Sequence, residues 1–437
     1  MGRKWNILWL AAVVTLLLSG CAMRTLDDLY QVPKRSEEYN NLQSAIDQNL
    51  GSRQYCAPLS GENLQAIQMA DLDGDGSNEY LLFAKGASEK PLQILVFRSE
   101  NGKYVLSDII YHHGSAFDVV EYARIDDRPG YEIIVGCQIS DQVTRSVSVY
   151  SYYDGKMVAQ TSSYYTRFLT CDLDANGRSE LLVIQPGEAE QNRATAELYA
   201  HSDEGIDRVG QITLSQSVDR IEKVLFGGIQ SGKSAVYISA VTADNTVITD
   251  VLAVEEAAFV NLGASVPGGT QIRLPVDRCL FPEDIDLDGT VELPALVQMR
   301  APSGNLLSGQ LSLIRWYSIT DQSQIHSKLY SCVNFQNRWS LILGSPWAQR
   351  IAVMQTGNTF YFYLWDETYT QCHKFMTLSY LTGETRYEQA TKSGRFVVYE
   401  TDTAIYAAAL EDCAAEHGIT QESIINSFYL IPQDRAT

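Results

Sequence analysis

Three short stretches of the sequence place acidic residues at a spacing that wraps oxygen ligands around one cation. In each, an Asp or Asn occupies positions 1, 3 and 5 of a loop, glycine follows at position 6, and glutamate closes the loop at position 9. The predicted side-chain ligands are Asp71, Asp73, Asp75 and Glu79; Asp172, Asp174, Asn176 and Glu180; and Asp284, Asp286, Asp288 and Glu292. The backbone carbonyls at position 7 belong to Ser77, Arg178 and Thr290. Because Ca²⁺ takes about six to eight oxygens, these loops are predicted to be calcium sites.

The same residues have a second interpretation, in which no metal binds. Asp and Gly form turns, and an Asp side chain can close a loop by accepting a hydrogen bond from a nearby backbone amide. Four carboxylates held a few ångströms apart repel one another without a cation, which favours the calcium interpretation for the first and third loops. The second loop carries one neutral ligand, Asn176. In all three, a bound Ca²⁺ would be structural rather than catalytic.

Each acidic loop runs into a short apolar strand, and this pattern repeats along the chain. The closing glutamates are residues 79, 132, 180 and 292; the one at 132 ends a worn copy, 124–132, that has lost most of its ligands. The last gap is about twice the others, so a degenerate copy is expected near 235, and weaker echoes occur at 344–350 and 392–395. A period of roughly 50 residues is typical of propellers and arrays.

Between the loops the sequence reads as strands joined by hairpin turns, about four to a unit. Gln93–Arg98 and Tyr104–Tyr111 flank an Asn-Gly turn at 101–102, for example. The predicted fold is therefore all-β: a β-propeller of about seven four-stranded blades, with six or eight as alternatives.

The aspartate-rich turns followed by apolar strands resemble the FG-GAP and VCBS repeats of integrin-type propellers. The resemblance rests on the three loops and covers about 60–400 through the periodic pattern. It implies a β-propeller at the cell surface with calcium in the blade loops. This chain closes its loops with Glu, where those repeats usually have Asp.

The N-terminal residues have the pattern of an export signal. Arg3 and Lys4 precede the apolar run Ile7–Leu18, which is too short for a bilayer-spanning helix. The following Leu18-Ser19-Gly20-Cys21 resembles the lipobox of bacterial lipoproteins. That resemblance implies that residues 1–20 are removed, that Cys21 carries acyl chains such as palmitate, and that the protein sits on the extracytoplasmic side of a membrane in the cell envelope. Residues 21–35 would be the lipidated cysteine and a polar spacer.

Helices are predicted at both ends of the repeats. Ser36–Leu50 places Tyr39, Leu42, Ile46 and Leu50 on one face, so 36–55 is expected to pack on a propeller that spans 56–410. Residues 411–437 form a C-terminal helical segment, which Gly418 interrupts. Periodicity alone does not decide whether Ile405–Leu410 is the start of this helix or the last strand.

Net charge and local sequence argue against two classes of ligand, nucleic acids and nucleotides. The formal charge of −20 disfavours a nucleic-acid partner, which would need a basic face. Gly227–Ser234 matches the phosphate-loop pattern letter for letter, but Ala-Val-Tyr-Ile-Ser follows and predicts a strand, whereas that motif needs a helix. No bound nucleotide is predicted.

No catalytic motif stands out, so the protein is predicted not to be an enzyme. The six histidines lack metal-binding spacing, and there is no nucleophile elbow. Acidic residues are so abundant that the sequence neither identifies nor excludes a catalytic carboxylate pair of the glycosidase type. The aromatics of 316–365 could line a sugar- or peptide-binding face, although inter-blade core is the commoner role. After Cys21, seven cysteines remain, an odd number, and buried free thiols are favoured over disulfides.

Three functions follow from these observations. The preferred one is a membrane-anchored, non-catalytic binding or scaffold module for an extracellular protein or glycan. The alternatives are a partner in envelope assembly and a propeller enzyme that acts on extracellular polysaccharide.

Overall fold

A computed structural model describes most of the chain from the first predicted helix onward. The described residues are 37–139, 144–187, 193–215, 220–265, 274–275, 280–299, 301–302, 311–344 and 347–431. The predicted signal peptide, Cys21, the spacer, Cys279 and the last six residues of the predicted C-terminal segment lie outside them. None of the helices described is long and apolar enough to cross a membrane.

The fold is all-β, and the described strands form six antiparallel sheets that follow one another along the chain. Sheet 1 contains β1 (Gln54–Tyr55), β2 (Ile67–Ala70), β3 (Glu79–Lys85), β4 (Leu92–Glu100) and β5 (Lys103–His112). Sheet 2 contains β6 (Ala116–Ala123), β7 (Glu132–Gln138), β8 (Arg145–Tyr153) and β9 (Lys156–Tyr165). Sheet 3 contains β10 (Arg167–Cys171), β11 (Glu180–Gln185), β12 (Thr195–Ser202) and β13 (Gly205–Thr213).

The C-terminal half forms the other three sheets. Sheet 4 contains β14 (Arg220–Gly228), β15 (Ser234–Val241), β16 (Thr246–Glu255), β17 (Ala258–Asn261) and β18 (Leu274–Pro275). Sheet 5 contains β19 (Leu293–Val297), β20 (Leu311–Ile319), β21 (Ile325–Asn334), β22 (Trp339–Leu343) and the last described strand, β28 (Phe428–Leu430). Sheet 6 contains β23 (Ile351–Thr356), β24 (Thr359–Trp365), β25 (Cys372–Thr382), β26 (Phe396–Glu400) and β27 (Ala404–Leu410).

The described residues thus contain six sheets where the sequence predicted about seven blades. The two weak echoes account for the difference: 344–350 leads into β23 and 392–395 leads into β26, and both strands belong to sheet 6. The degenerate copy expected near 235 is present as the turn between β14 and β15 of sheet 4.

Consecutive sheets pack face to face, which explains the uninterrupted apolar strands that follow the loops. In β7, Ile133 points into the core shared with sheet 1, whereas the next residue, Ile134, points into the core shared with sheet 3. In β11, Leu181 faces sheet 2 and Leu182 faces sheet 4. Because side chains alternate along a strand, a sheet buried on both faces needs apolar residues at every position.

The same packing continues to the end of the row. Tyr237 and Tyr317 lie in the core between sheets 4 and 5, and Trp339 and Phe360 lie in the core between sheets 5 and 6. No buried apolar cluster of the described residues joins sheet 6 to sheet 1.

Helices cover the two terminal faces of the row. The N-terminal helix Glu37–Leu50 packs Leu42, Ala45 and Ile46 onto sheet 1. Tyr39, predicted on this buried face, is instead 44% exposed. On sheet 6, the short helix Arg386–Ala390 seats Ala390 against β27.

The C-terminal segment combines helix and strand. A 3₁₀ helix, Asp412–His417, ends at Gly418 in the left-handed conformation, as the sequence predicts. The helix Gln421–Ser427 then begins with a capping box between Thr420 and Ser423. β28 follows and adds to the edge of sheet 5. Residues 405–410, left open by the sequence, belong to β27. Two further short helices are described: Leu262–Ser265 follows β17, and the 3₁₀ helix Trp347–Arg350 precedes β23.

Candidate metal centres

The three acidic loops occupy equivalent places in their sheets. The first loop joins β2 to β3 and the second joins β10 to β11, so Glu79 and Glu180 begin the strand that follows the loop. The third loop lies between Glu283 and Glu292, which form an isolated bridge just before β19. Each loop is therefore held at both ends by antiparallel pairing.

The three loops share one backbone conformation although their sequences differ. At position 6, Gly76, Gly177 and Gly289 each have φ of 87°. At position 4, φ is also positive: 75° at Gly74, 59° at Ala175 and 61° at Leu287. Because non-glycine residues rarely adopt this conformation, its recurrence shows that the turn geometry is imposed by the loop as a whole.

Side chains at positions 1 and 5 fix this geometry. The position-1 aspartates each accept a hydrogen bond from the position-6 glycine amide, at 3.0 Å for Asp71 and 2.9 Å for both Asp172 and Asp284. The position-5 side chains accept from the position-7 amides of Ser77, Arg178 and Thr290 at 2.7–2.8 Å. The hydrogen bonds that the turn interpretation predicts are thus present in all three loops.

The closing glutamate reaches back across each loop. One oxygen of Glu79 accepts from the Leu72 amide at 2.9 Å, and one oxygen of Glu180 accepts from the Leu173 amide at 2.7 Å. Burial raises the pKa of both glutamates to about 7, with a further increase from the neighbouring aspartates, whereas the amide hydrogen bond lowers it. Burial likewise raises the pKa of Glu292 to about 7, with a further increase from Asp286 and a decrease from the hydrogen bond of the Ile285 amide.

Three carboxylates converge in every loop, and they come from positions 1, 3 and 9. In each group one oxygen per residue lies within 4.8 Å of the others; the groups are Asp71, Asp73 and Glu79; Asp172, Asp174 and Glu180; and Asp284, Asp286 and Glu292. The position-1 residue is half-buried, the position-3 residue is exposed and the glutamate is buried. Such a set of hard oxygen donors suits Ca²⁺. Asp75 and Asp288, predicted ligands at position 5, are not part of these groups.

The third loop already has a positive charge beside it. The ammonium group of Lys328, on β21, forms an ion pair with Asp288. This contact lowers the pKa of Asp288 to about 2. In this loop, a metal ion held by Asp284, Asp286 and Glu292 would lie near a lysine that is already paired with Asp288. Lys328 lies 40 residues from Asp288, so no local pattern in the sequence indicates this contact.

The worn copy keeps the closing contact without the ligands. Glu132 accepts a hydrogen bond from the Ile125 amide at 2.7 Å, although position 1 is Arg124 and position 5 is Arg128. The Arg128 guanidinium lies 3.3 Å from the centre of the Tyr153 ring and 3.9 Å from an oxygen of Asp126. The structure therefore agrees with the prediction that this copy lacks a full ligand set.

Neighbouring loops are joined through their backbones. The Tyr131 amide donates to the Asp71 carbonyl at 3.0 Å, and the Ser179 amide donates to the Arg124 carbonyl at 2.7 Å. Both contacts link the residue before one closing glutamate to position 1 of the previous loop. The packing is so close at Gly130 that an added Cβ would lie 2.2 Å from the Leu72 carbonyl oxygen. The first acidic loop, the worn copy and the second acidic loop thus form one connected rim.

Other residues singled out from the sequence have structural roles. The residues after Gly232 form β15, as predicted, so the phosphate-loop pattern does not lead into a helix. His112 is buried and His113 is exposed, as expected for adjacent residues near the end of a strand. Trp316, Tyr317 and Trp339 are buried in cores, which confirms the core interpretation for these three aromatics. The described cysteines are unpaired, and Cys137, Cys171 and Cys332 are buried.

Comparison with known proteins gives no family assignment. No family model matches the chain, and no curated protein matches it. Solved structures that resemble it include the exotype rhamnogalacturonan lyase YesX, with 12% identity, and the rhamnogalacturonan lyase PL11 of Bacillus licheniformis, with 11% identity. Each covers 74% of this chain and 72% of its own, with a TM-score of 0.29. At this level, the likeness carries no argument about function.

Proposed function

We propose that this protein is a calcium-stabilised binding module of the bacterial cell envelope, anchored to a membrane through Cys21 and without a catalytic role. The observation that carries the proposal is the convergence of three carboxylates in each of three loops with the same backbone conformation. Repeated calcium loops are a means of stabilising an extracellular scaffold, and affinities on the order of 10⁻⁴–10⁻³ M are usual for such modules.

The arrangement of the sheets supports a scaffold of propeller type. Six antiparallel sheets of four or five strands pack face to face in chain order, as blades do. We propose that these six sheets of the described residues form a row of propeller-type blades rather than a ring of seven. The helix Glu37–Leu50 covers the free face of the first blade and the helix Arg386–Ala390 covers that of the last. The acidic loops lead into β3, β11 and β19, where a bound cation would brace the contact between neighbouring blades.

The anchor can be tested in bacterial cells that express the full chain. Wild-type protein and a Cys21→Ser variant are compared by metabolic labelling with palmitate and by membrane fractionation. The proposal predicts labelling and membrane association of the wild type only. Equal membrane association of the unlabelled Cys21→Ser protein would contradict the lipid anchor.

Calcium binding can be tested on the purified protein by isothermal titration. We expect between two and three Ca²⁺ per chain at millimolar concentration, with the first two loops filled before the third. A protein that takes up no Ca²⁺ at 10 mM, a concentration about tenfold above the usual affinity limit, would contradict the proposal.

A further inference from the structure

A cleft of about 590 Å³ opens across sheets 1, 2 and 3, away from the acidic loops. Its walls come from β5, from β8 and β9, and from β11 to β13. Ser146 and Ser162 lie on the face of sheet 2 towards sheet 1, and Ser163, next to Ser162, lies towards Glu197 of sheet 3. The cleft therefore straddles the outer edge of sheet 2 and contacts three consecutive sheets.

Hydroxyl groups dominate the lining. Eight of the fourteen lining residues are Ser or Tyr. Each such hydroxyl can donate one hydrogen bond and accept two, so the walls can match a ligand that also offers hydroxyls of both kinds. Ligand pockets of this size are usually lined by apolar side chains, so the composition here selects for a polar ligand.

The charges of the lining cancel. The carboxylate of Glu197, only 3% exposed, is paired with the Arg208 guanidinium. Its other oxygen accepts hydrogen bonds from Gln185 at 2.8 Å and from the Tyr199 hydroxyl at 2.9 Å. The acid is therefore fully engaged in the wall of the cleft. Burial lowers the pKa of His112 to about 4, so this ring is neutral near pH 7. The groups that meet a ligand are thus mainly uncharged.

One exposed aromatic ring lines the cleft. Tyr164, on β9, is 58% exposed and pairs with Ser146 of β8, so both side chains lie on the face of sheet 2 towards sheet 1. An exposed tyrosine combines a flat apolar ring, which can pack on the C–H face of a sugar, with a polar hydroxyl. Tyr164 lies on the last strand of its sheet, where an extended ligand can reach it.

We propose that this cleft binds a neutral saccharide, with Tyr164 as a stacking platform and the serine hydroxyls as hydrogen-bonding partners. The proposal rests on the binding function proposed above and names its ligand class, but it does not depend on calcium. It also places the sugar site away from the 316–365 aromatics, most of which are buried.

The test measures binding of the full chain to defined oligosaccharides. The probes are the neutral hexasaccharides of cellulose, xylan, mannan, amylose and chitin, with oligogalacturonate as the acidic comparison, assayed by microscale thermophoresis and saturation-transfer NMR. The variants are Tyr164→Ala and Ser162→Ala. Because both side chains are exposed, these variants are expected to fold. Tyr55→Ala is the control, since Tyr55 is 47% exposed and lies outside the cleft.

We expect at least one neutral hexasaccharide to bind, each cleft variant to weaken it fivefold or more, and Tyr55→Ala to leave it unchanged. Failure of every neutral probe to bind, binding of oligogalacturonate alone, or binding unaffected by both cleft variants would overturn the proposal. Calcium uptake measured on the same samples separates this outcome from failure of the metal sites.

Discussion

The carboxylate of Glu132 accepts a hydrogen bond from the backbone amide of Ile125 at 2.7 Å. Glu79 and Leu72, Glu180 and Leu173, and Glu292 and Ile285 make the same contact, always across seven residues. The contact therefore persists in a copy whose position-1 and position-5 residues are arginines. We infer that the closing glutamate first shapes the turn and that metal binding depends on the other positions.

The worn copy allows the electrostatic cost of this glutamate to be measured without a metal site. The pKa of Glu132 is raised to about 7, chiefly by burial and then by Asp126, so the folded protein holds a proton that the unfolded chain releases near pH 4.5. Stability from this group is complete below pH 4.5 and is lost as the pH rises through about 7. In EDTA, Glu132→Gln should therefore gain about 1–3 kcal/mol relative to wild type between pH 4.5 and pH 8.

Urea unfolding at the two pH values checks this prediction, with Glu367→Gln, at an exposed site, as the control. A Glu132→Gln variant whose difference from wild type is the same at pH 4.5 and pH 8 would contradict it.

Lys328 should weaken calcium binding at the third loop. Its ammonium group is paired with Asp288, and an arriving Ca²⁺ has to compete with it. Lys328→Met should lower the stability measured in EDTA and should tighten calcium binding at this loop about three- to tenfold. Lys392→Met, which removes an exposed ion pair with Glu388, should leave calcium affinity unchanged. Calcium titration of the three proteins gives the result; weaker binding by Lys328→Met would mean that the lysine supports the site.

Close packing between neighbouring loops should make Gly130 intolerant of any side chain. An alanine Cβ would lie 2.2 Å from the Leu72 carbonyl oxygen and 3.0 Å from the Asp73 amide nitrogen. Gly130→Ala should therefore destabilise the protein by about 1–3 kcal/mol. Gly344→Ala is the control, because its nearest neighbour would be the Trp347 ring at 3.4 Å, an ordinary contact. Equal unfolding midpoints for the two variants would refute close packing at this position.

The N-terminal helix should be an integral cover of sheet 1. Ile46 is 1% exposed and packs on β3 and β4. Ile46→Ala should cost about 2–4 kcal/mol, whereas Gln48→Ala, on the exposed side of the same helix, should change stability by less than about 0.5 kcal/mol. Chemical denaturation measures both. A cost below 1 kcal/mol for Ile46→Ala would show that the sheet face does not need the helix.

The sequence predicts the parts of this structure that are local. The loop spacing locates the converging carboxylates, and the strand after Gly232 follows from its β-branched residues. The number of sheets cannot be predicted from local sequence. The weak repeat at 392–395 leads into β26, but this strand pairs with β27 of sheet 6 and does not begin a new sheet. Lys328 lies 40 residues from Asp288, and the cleft beside Tyr164 is lined by residues of three sheets, so only the packing of sheets brings these residues to their partners.

The most direct test of the account is a thermal melt of the purified protein in calcium and then in EDTA. The comparison protein carries Asp73→Asn, Asp174→Asn and Asp286→Asn together, because these position-3 ligands are exposed and their loss should not prevent folding. Wild type should have a higher Tm in 5 mM calcium, a concentration that is roughly saturating for such modules, and the triple variant should show little or no response. Identical wild-type melts in calcium and EDTA would contradict this expectation and would leave the loops as acidic turns.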